Sequence, residues 1–424
     1  MEKAPKSLRL HIGLFGRTNV GKSSFLNMIS SQAVAITSAL PGTTTDVVSK
    51  VMELLPLGPV VFLDTAGLDD LSELAESRIE KAKKALDASD IILLIVEPGV
   101  WGVHEEKIIQ EAKEKKVPCI IIVNKIDAIC LKESFIDRLK KINSKVLCCS
   151  SVVPEKSSNF LDILKKELIE VCPSDFLNPP FLIGDLLPPG GIACLIVPID
   201  LQAPKGRLIL PQVQTIRDVL DNDASALVVK EREYSYLVNV LKIPFNISVC
   251  DSQVVLKMVA DTPKTLKCTT FSILFSRYKG DLAEAVKGVV AVDNLKPGDR
   301  VLIAEACSHH PIEDDIGRIK IPRWINQYTG INIKFDFCAG SDYPLNLKDY
   351  KLIIHCGGCM ITRRQMMLRI QQAKEAKVPI TNYGVCIAFL QGVLGRVLLP
   401  FPAVFNIIEE YKVLKKDGKN EKRL

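Results

Sequence analysis

An octapeptide near the start of the chain, Gly16–Ser23, leaves little freedom in how the residues around it fold. It reads G-R-T-N-V-G-K-S and fits the pattern G-x-x-x-x-G-K-S/T, between the apolar segment Leu8–Phe15 and a helical pattern. Glycines in such a loop let backbone N–H groups close around phosphate at the start of a helix. The sequence therefore predicts a strand, a phosphate-binding loop and a helix, in that order.

Three further segments have the order and chemistry of a nucleotide site. Lys22 is placed to reach the β- and γ-phosphates, and Ser23 is placed to coordinate Mg²⁺. Asp64 follows the apolar segment Val60–Leu63, so it can hold the metal through water, while the N–H of Gly67 can meet the γ-phosphate. A Pro-Gly-Thr-Thr-Thr segment between them supplies hydroxyls that can close over Mg²⁺.

The segment Asn124-Lys125-Ile126-Asp127 predicts which base is bound. A carboxylate at Asp127 accepts from N1–H and the exocyclic amine of guanine, whereas adenine would face it with an acceptor. Ser150 and Ser151, after the next strand, are placed to support the base. The residues predicted to bind nucleotide are Gly16, Asn19, Val20, Gly21, Lys22, Ser23, Ser24, Thr43, Thr44, Thr45, Asp64, Thr65, Gly67, Asn124, Lys125, Asp127, Ser150 and Ser151. Together they predict a GTPase.

These motifs resemble those of the Era- and TrmE-type GTPases over about 165 residues. The resemblance implies that Asn19 coordinates K⁺ beside the phosphates. Leu68 follows Asp-Thr-Ala-Gly where Ras-like enzymes place the glutamine that orients water, and an apolar residue cannot do that. We therefore expect slow GTP hydrolysis that K⁺ accelerates.

Alternating apolar and helical segments divide the chain into three blocks, at residues 1–174, 175–264 and 265–424. Strand–helix alternation is typical of α/β domains with parallel sheets. Pro173 and the pair Pro179-Pro180 interrupt the pattern after the first block, and Pro263 precedes the third. The expected fold class is α/β throughout.

Composition excludes several kinds of protein. The longest apolar run, Ile91–Val96, is far shorter than the roughly 20 residues of a membrane-spanning helix, so no membrane role is expected. The net charge is +6, but the last 14 residues contribute +4 of it, and a near-neutral body argues against a nucleic-acid partner. The first residues leave no room for a signal peptide, so we expect a cytoplasmic protein.

A group of sulfur and imidazole residues marks the third block. Cys307 and His309 follow the predicted strand Arg300–Ala304, and His355, Cys356 and Cys359 follow the strand Lys351–Ile354. Neighbouring parallel strands bring their carboxyl ends to one rim, so these side chains are expected to converge. Spacing alone leaves three readings open: a 4Fe-4S cluster on three cysteines, a zinc site with His309 as the fourth ligand, or a redox dithiol.

The combination of this GTPase with Cys-x-His and His-Cys-x-x-Cys resembles the FeFe-hydrogenase maturation GTPases of the HydF type. The resemblance continues through residues 203–211, 251–253, 271–281 and 315–320. It implies a P-loop GTPase domain, a small α/β dimerisation domain, and an α/β iron–sulfur cluster-binding domain with parallel strands. It further implies a 4Fe-4S cluster held by Cys307, Cys356 and Cys359. The fourth position is left open between His309, His355, water and a carboxylate of another chain.

The same resemblance implies a scaffold that accepts a diiron precursor from two radical-SAM hydrogenase maturases and delivers it to an apo-FeFe-hydrogenase. The GTPase would act as a switch in this exchange, and the chain is expected to be a homodimer or larger. Two other functions fit part of the sequence: a zinc-stabilised regulatory GTPase, and a ribosome- or tRNA-associated GTPase.

Overall fold

Buried apolar strands and the helices between them build three sheets. The computed structural model describes residues 5–32, 38–40, 48–65, 75–153, 159–198, 208–306, 315–340, 342–344 and 346–421. The chain divides into two units, Met1–Pro179 and Pro180–Leu424. The first unit therefore ends five residues beyond the boundary predicted at 174.

In the described residues of the first unit, the sheet runs in the order β2-β3-β4-β1-β5-β6-β7. β2 and β3 are antiparallel to their neighbours, and the other pairings are parallel. The strands are β1 Leu10–Phe15, β2 Ser38–Leu40, β3 Val48–Leu54, β4 Gly58–Asp64, β5 Ile91–Val96, β6 Cys119–Val123 and β7 Val146–Cys148. The helices are α1 Lys22–Gln32, α2 Ala75–Ala88, α3 Val103–Glu114, α4 Glu133–Ile142, α5 Phe160–Val171 and α6 Ser174–Leu177.

Helices cover both faces of this sheet. Phe25 of α1 and Phe160 of α5 pack edge to face on one side, with ring centroids 5.8 Å apart. Ile108 of α3 and Leu139 of α4 pack on the other side. Burial on both faces explains why β5 is apolar without alternation and why every residue of β1, His11 included, is buried. The carboxyl ends of the strands therefore form one polar edge.

The second unit contains two parallel sheets, ordered β11-β10-β8-β9 and β13-β12-β14-β15. Their strands are β8 Ile192–Ile196, β9 Ser225–Val229, β10 Ile247–Cys250, β11 Lys267–Thr270, β12 Arg300–Glu305, β13 Lys334–Ala339, β14 Leu352–His355 and β15 Ile380–Asn382. The helices are α7 Leu210–Asp221, α8 Glu231–Asn239, α9 Val255–Asp261, α10 Phe271–Lys279, α11 Leu282–Val289, α12 Ile321–Thr329, α13 Arg363–Glu375, α14 Tyr383–Leu390, α15 Leu394–Leu398 and α16 Pro402–Glu421. A one-turn π-helix, Ile316–Lys320, precedes α12. The predicted α/β class is confirmed.

One hydrophobic core joins the two sheets of the second unit. It contains Val249 of β10 and Ile303 of β12, with Phe275 of α10 between them in sequence. The middle sheet extends past the boundary predicted at residue 264, because β11 pairs in parallel with β10. Pro263, which we interpreted as the end of the middle block, lies in the connection between α9 and β11. The division into three domains remains a prediction.

Among the residues that the structure describes, no helix combines the length and apolar composition needed to cross a membrane.

Candidate functional site

The phosphate-binding loop lies between β1 and α1, as the motif predicts. Gly16 and Gly21 have φ angles of +142° and +93°, which residues with a side chain rarely adopt. A Cβ at Gly21 would lie 2.4 Å from Asn124 Nδ2, and one at Gly16 would lie 2.2 Å from the Ile95 carbonyl oxygen. Only glycine therefore lets this loop approach the segment after β6 and the end of β5.

Lys22 lies inside the curve of that loop. Its Nζ donates to the carbonyl oxygens of Gly16 and Arg17, at 2.7 Å each, and its side chain is buried. Ser23 and Ser24 are exposed at the start of α1, where helix N–H groups face outward. This arrangement places an ammonium and the first N–H groups of a helix where the phosphates of a nucleotide would lie.

The two residues predicted to hold magnesium, Ser23 and Asp64, lie close together at the start of α1 and the end of β4. Ser23 Oγ donates to Asp64 Oδ2 at 3.4 Å, which brings the first residues of α1 to the end of β4. Asp64 Oδ1 is buried and has no hydrogen-bond partner among the described residues. Burial raises the pKa of Asp64, so a cation at this point would stabilise its charged form. The residues present fit Mg²⁺.

Asn124 connects the three loops of the nucleotide site. Its Nδ2 donates to the Val20 carbonyl oxygen at 2.9 Å, and its Oδ1 accepts from Ser151 N at 3.1 Å and Ser151 Oγ at 2.8 Å. Lys125 Nζ donates to the Asn19 carbonyl oxygen at 2.5 Å. These bonds bring the phosphate-binding loop, the segment predicted to read the base and the Ser150-Ser151 turn together.

The other residues predicted to bind nucleotide fall into two groups. Some make contacts within the fold, and the rest lie outside the residues that the structure describes. Thr65 Oγ1 donates to the Leu14 carbonyl oxygen at 2.5 Å, which joins β4 to β1. Ser150 is buried and its Oγ accepts from Val153 N at 3.1 Å. Thr43, Thr44, Thr45, Gly67 and Leu68 lie outside the described residues.

An ion pair that the sequence did not predict lies beside the phosphate-binding loop. Arg17 contacts Glu105 of α3, and Gly102 N also donates to Glu105 Oε2, at 2.8 Å. Burial alone would raise the pKa of Glu105, but these hydrogen bonds and the guanidinium charge hold it below its usual value. Gly102 and Glu105 have the spacing of a capping box at the start of a helix. This spacing is the sequence signal from which the contact between them could have been predicted.

The second predicted site lies at the carboxyl end of β14. Cys356 Sγ accepts from the backbone N–H of Ala306 at 3.1 Å, and Cys356 N donates to the Ala304 carbonyl oxygen at 2.9 Å. The segment 355–362, the cysteine loop hereafter, therefore meets the chain directly after β12, one residue before Cys307. Cys307 and His309 themselves lie outside the described residues.

Among the described residues, the cysteine loop supplies two of the three thiols that the expected iron–sulfur cluster would need. Cys356 and Cys359 are both half-buried, and the Ala306 amide already donates to one of the two sulfurs. Hydrogen bonds to sulfur and limited solvent exposure are features that tune such clusters. Burial raises the pKa of the Cys359 thiol, and the nearby ammonium of Lys279 opposes that rise.

Both ring nitrogens of His355 make hydrogen bonds. Its Nδ1 donates to the Cys356 carbonyl oxygen at 2.8 Å, and its Nε2 accepts from Arg369 Nη1 at 2.8 Å. Burial and the Arg369 charge lower the pKa of His355 to about 3, so the ring is neutral. The role of His355 as a fourth ligand of the cluster remains a prediction.

A small pocket opens beside the cysteine loop. Cys356 lines it together with Phe275, Met366 and Thr381 of β15. Thr381 is buried, and its Oγ1 has no hydrogen-bond partner among the described residues. Further polar residues line the pocket: Ser276, Asp281, Glu284 and Asn382. Its lining therefore combines apolar and polar residues next to a predicted cluster ligand.

Comparison with protein-family models identifies all three parts of the chain. Residues 11–125 match a model described as a 50S ribosome-binding GTPase. Residues 182–280 match the hydrogen maturase F dimerization domain, and residues 283–400 match the hydrogen maturase F tetramerization domain. The two latter descriptions support the expected homo-oligomer.

Curated relatives and a solved structure match the GTPase domain. GTPase Era of Thermoanaerobacter sp. (strain X514) is 33% identical over 183 residues, which cover 42% of this chain and 58% of that protein. The tRNA modification GTPase MnmE of Prochlorococcus marinus (strain NATL1A) is 34% identical over 168 residues, covering 39% and 35%. A crystal structure of an Aquifex aeolicus Era variant bound to GDP and AlF4⁻ is 30% identical with a TM-score of 0.32, covering 39% and 57%.

The predicted GTPase and its likeness to Era are confirmed by these matches. The chain spans little more than half the length of the Era relatives, so their other parts do not describe it. Beyond the GTPase domain, both matching models describe hydrogen maturase F. The chain therefore belongs to the hydrogen maturase F type of GTPases.

Proposed function

We propose that this protein is a GTP-hydrolysing scaffold for hydrogenase maturation. It holds a 4Fe-4S cluster, accepts a diiron precursor, and delivers it to an apo-FeFe-hydrogenase. One observation carries the cluster part of the proposal: Cys356 Sγ accepts from the amide of Ala306, the residue before Cys307. Segments 50 residues apart in the chain thus come together where three cysteines would be needed.

In this proposal Cys307, Cys356 and Cys359 hold the cluster through three thiolates. When bound, the cluster supplies redox chemistry and one iron without a cysteine ligand, to which an anionic ligand of the precursor can bind. The fourth ligand is then His309, His355, water or a carboxylate of another chain.

The GTPase domain acts as a switch in the same proposal. Binding of the γ-phosphate and Mg²⁺ orders the loop that carries Thr43–Thr45 and changes the surface offered to a partner. GTP then favours dissociation of one of the two radical-SAM maturases. Equal maturase affinity in GDP and in a non-hydrolysable GTP analogue would contradict this role.

Metal and sulfide analysis of anaerobically purified protein tests the scaffold. We expect about four iron and four sulfide per chain, with a broad absorption band near roughly 400 nm. Cys307→Ser, Cys356→Ser and Cys359→Ser should each lower the iron content, whereas Cys130→Ser, at an exposed position of the GTPase domain, should not. One zinc without sulfide would instead favour the zinc-stabilised regulatory GTPase.

The ribosome- or tRNA-associated alternative is supported by the GTPase domain alone. A salt-dependent RNA-binding assay separates it from the scaffold, because phosphate contacts weaken steeply as salt rises. Tight binding of ribosomal RNA or tRNA, without iron, would favour this alternative.

A further inference from the structure

Glu97 lies at the edge of the sheet that carries the nucleotide motifs, although it belongs to none of them. It is the first residue after β5, and Lys125 comes two residues after the neighbouring strand β6. β5 and β6 run parallel with Val96 opposite Val123, so both side chains leave the sheet at its carboxyl edge. Glu97 Oε1 accepts from Lys125 Nζ at 2.5 Å, and the two residues form an ion pair beside the phosphate-binding loop.

The same ammonium holds the backbone of the phosphate-binding loop. Lys125 Nζ also donates to the Asn19 carbonyl oxygen at 2.5 Å, and a Cβ at Gly21 would lie 4.0 Å from Lys125 Cε. The lysine side chain therefore lies along the loop. Among the residues that the structure describes, Glu97 is the only carboxylate that pairs with Lys125, and its side chain is 23% exposed. The position of the ammonium thus depends on Glu97 as well as on the loop.

The bond from Lys125 to the loop fixes the direction of a backbone N–H. A peptide group is planar and trans, so its carbonyl and its N–H point in opposite directions. Since the Asn19 carbonyl oxygen faces Lys125, the N–H of Val20 faces the other side of the loop. The bond from Asn124 Nδ2 to the Val20 carbonyl oxygen sets the direction of the Gly21 N–H in the same way. N–H groups that are already aligned bind phosphate without a further cost of ordering.

The backbone at both ends of this hydrogen bond has an unusual conformation. Asn19 and Lys125 have φ angles of 62° and 61°, in the left-handed region that residues with a side chain seldom occupy. Such conformations persist only where surrounding contacts hold them. Because the bond joins these two residues, a group that fixes the Lys125 side chain also supports the conformation of the loop.

We propose that Glu97 is a positioning residue of the GTPase, which holds Lys125 against the Asn19 carbonyl oxygen and so keeps the Val20 N–H directed at the bound phosphates. Glu97 does not touch the nucleotide in this role. Without Glu97, the loop has to be ordered when nucleotide binds, and the affinity falls. The inference concerns the GTPase domain alone and does not depend on the cysteine loop.

Glu97→Ala tests the proposal in the full chain. The dissociation constant of GDP carrying a fluorescent methylanthraniloyl group is measured in the presence of Mg²⁺, and we expect it to rise roughly fivefold, as for the loss of a partly exposed ion pair. Glu97→Gln should have a smaller effect, because its amide oxygen still accepts from Lys125 Nζ. Asp87→Ala is the matched control, since Asp87 pairs with Lys115 before β5 and is 33% exposed. It should leave the dissociation constant unchanged.

A double-mutant cycle separates an effect through Lys125 from a general loss of structure. In a Lys125→Met background Glu97 has no ammonium to hold, so Glu97→Ala should change the dissociation constant by less than about twofold. Amide hydrogen exchange of residues 17–21 provides a second measurement, in the protein without nucleotide. Exchange should be faster in Glu97→Ala than in the parent, and Asp87→Ala should match the parent. If Lys125→Met binds too weakly for titration, this exchange decides.

Parent-like affinity in a folded Glu97→Ala protein would overturn the inference. An equal loss of affinity with and without Lys125 would also overturn it, because Glu97 would then act by another route. A loss confined to the protein that keeps Lys125 supports the positioning role. Cooperative urea unfolding shows that each variant is folded, and if Glu97→Ala fails this criterion, Glu97→Gln is judged in its place.

Discussion

Glu105 of α3 accepts hydrogen bonds from two nitrogens of Arg17, from Nε at 2.7 Å and from Nη2 at 2.9 Å. Arg17 follows the first glycine of the phosphate-binding loop, and its carbonyl oxygen accepts from Lys22. A single buried carboxylate on a neighbouring helix thus holds the backbone that surrounds the P-loop lysine.

Glu105→Gln should weaken this attachment, because the amide keeps one acceptor but loses the charge facing Arg17. Arg17 is 36% exposed, so solvent screens part of the interaction, and we expect the free energy of unfolding to fall by about 1–2 kcal/mol. The free energy of unfolding is measured by urea unfolding, followed by Trp101 fluorescence in a Trp324→Phe background. The exposed neighbour gives the control Glu106→Gln, which should change stability by less than about 0.5 kcal/mol.

The same pair predicts a pH dependence. Because the pKa of Glu105 is lowered in the folded protein, its contribution to stability is present above the ordinary value of 4.5 and is lost as pH falls through the lowered one. The stability difference between parent and Glu105→Gln should therefore be constant near neutral pH and shrink below about pH 4.5. A stability difference that grows as the pH falls would contradict the predicted direction of the effect.

Asp127→Asn should change the base that is bound. The amide presents a donor to guanine N1–H, so GTP affinity should fall about a hundredfold or more, while xanthosine triphosphate, which has a carbonyl at C2, should gain affinity. Competition against a fluorescent guanine nucleotide measures both. Asp137→Asn, at an exposed position of α4, is the control. Unchanged preference for GTP in Asp127→Asn would remove Asp127 from the base-reading role.

Asn19 should make GTP hydrolysis sensitive to K⁺. The residue is exposed at the phosphate-binding loop with a φ of 62°, and its carbonyl oxygen accepts from Lys125. We expect faster phosphate release in K⁺ than in Na⁺, and equal rates in both salts for Asn19→Ala. Asn159→Ala, outside the nucleotide site, should keep the K⁺ effect. Equal rates of hydrolysis in K⁺ and Na⁺ for the parent protein would contradict the predicted role of Asn19 in binding K⁺.

Asp293 joins the last helix, α16, to the rest of the second unit. Its carboxylate accepts from Tyr328 Oη at 2.8 Å, from Lys415 Nζ at 2.5 Å and from the hydroxyl of Tyr411. Asp293→Asn keeps the shape but loses the charge facing Lys415, so we expect about 1–2 kcal/mol lower stability and faster amide exchange in residues 402–415. Glu409→Gln, which removes an exposed pair with Lys412, should have little effect.

The fold around the nucleotide-binding motifs could be predicted closely, because the glycines and apolar segments of these motifs specify the local backbone. The glycines at 16 and 21 permit φ angles that other residues avoid, and the apolar segment before each motif becomes a buried strand. The polar residue after such a strand then lies at the carboxyl edge of the sheet. Asp64 and Asn124 could be assigned to one site in this way.

The extent of the middle sheet could not be predicted in the same way. Pro263 is a good signal for a connection, but a connection does not indicate whether the next strand joins the same sheet. β11 joins β10 through hydrogen bonds between residues about 20 positions apart, which local composition does not encode.

The sequence by itself determined the GTPase and the rim at which the cysteines are expected, since both depend on residues close together in the chain or on strand ends. Only the tertiary structure decided the surroundings of the cysteine loop. Lys279 and Ile361 are 82 positions apart, and the burial of that lysine results from the packing of α10 against the start of α13. Burial and long-range contact determine whether a cation is screened by water or acts on a neighbouring sulfur, and no local pattern specifies either.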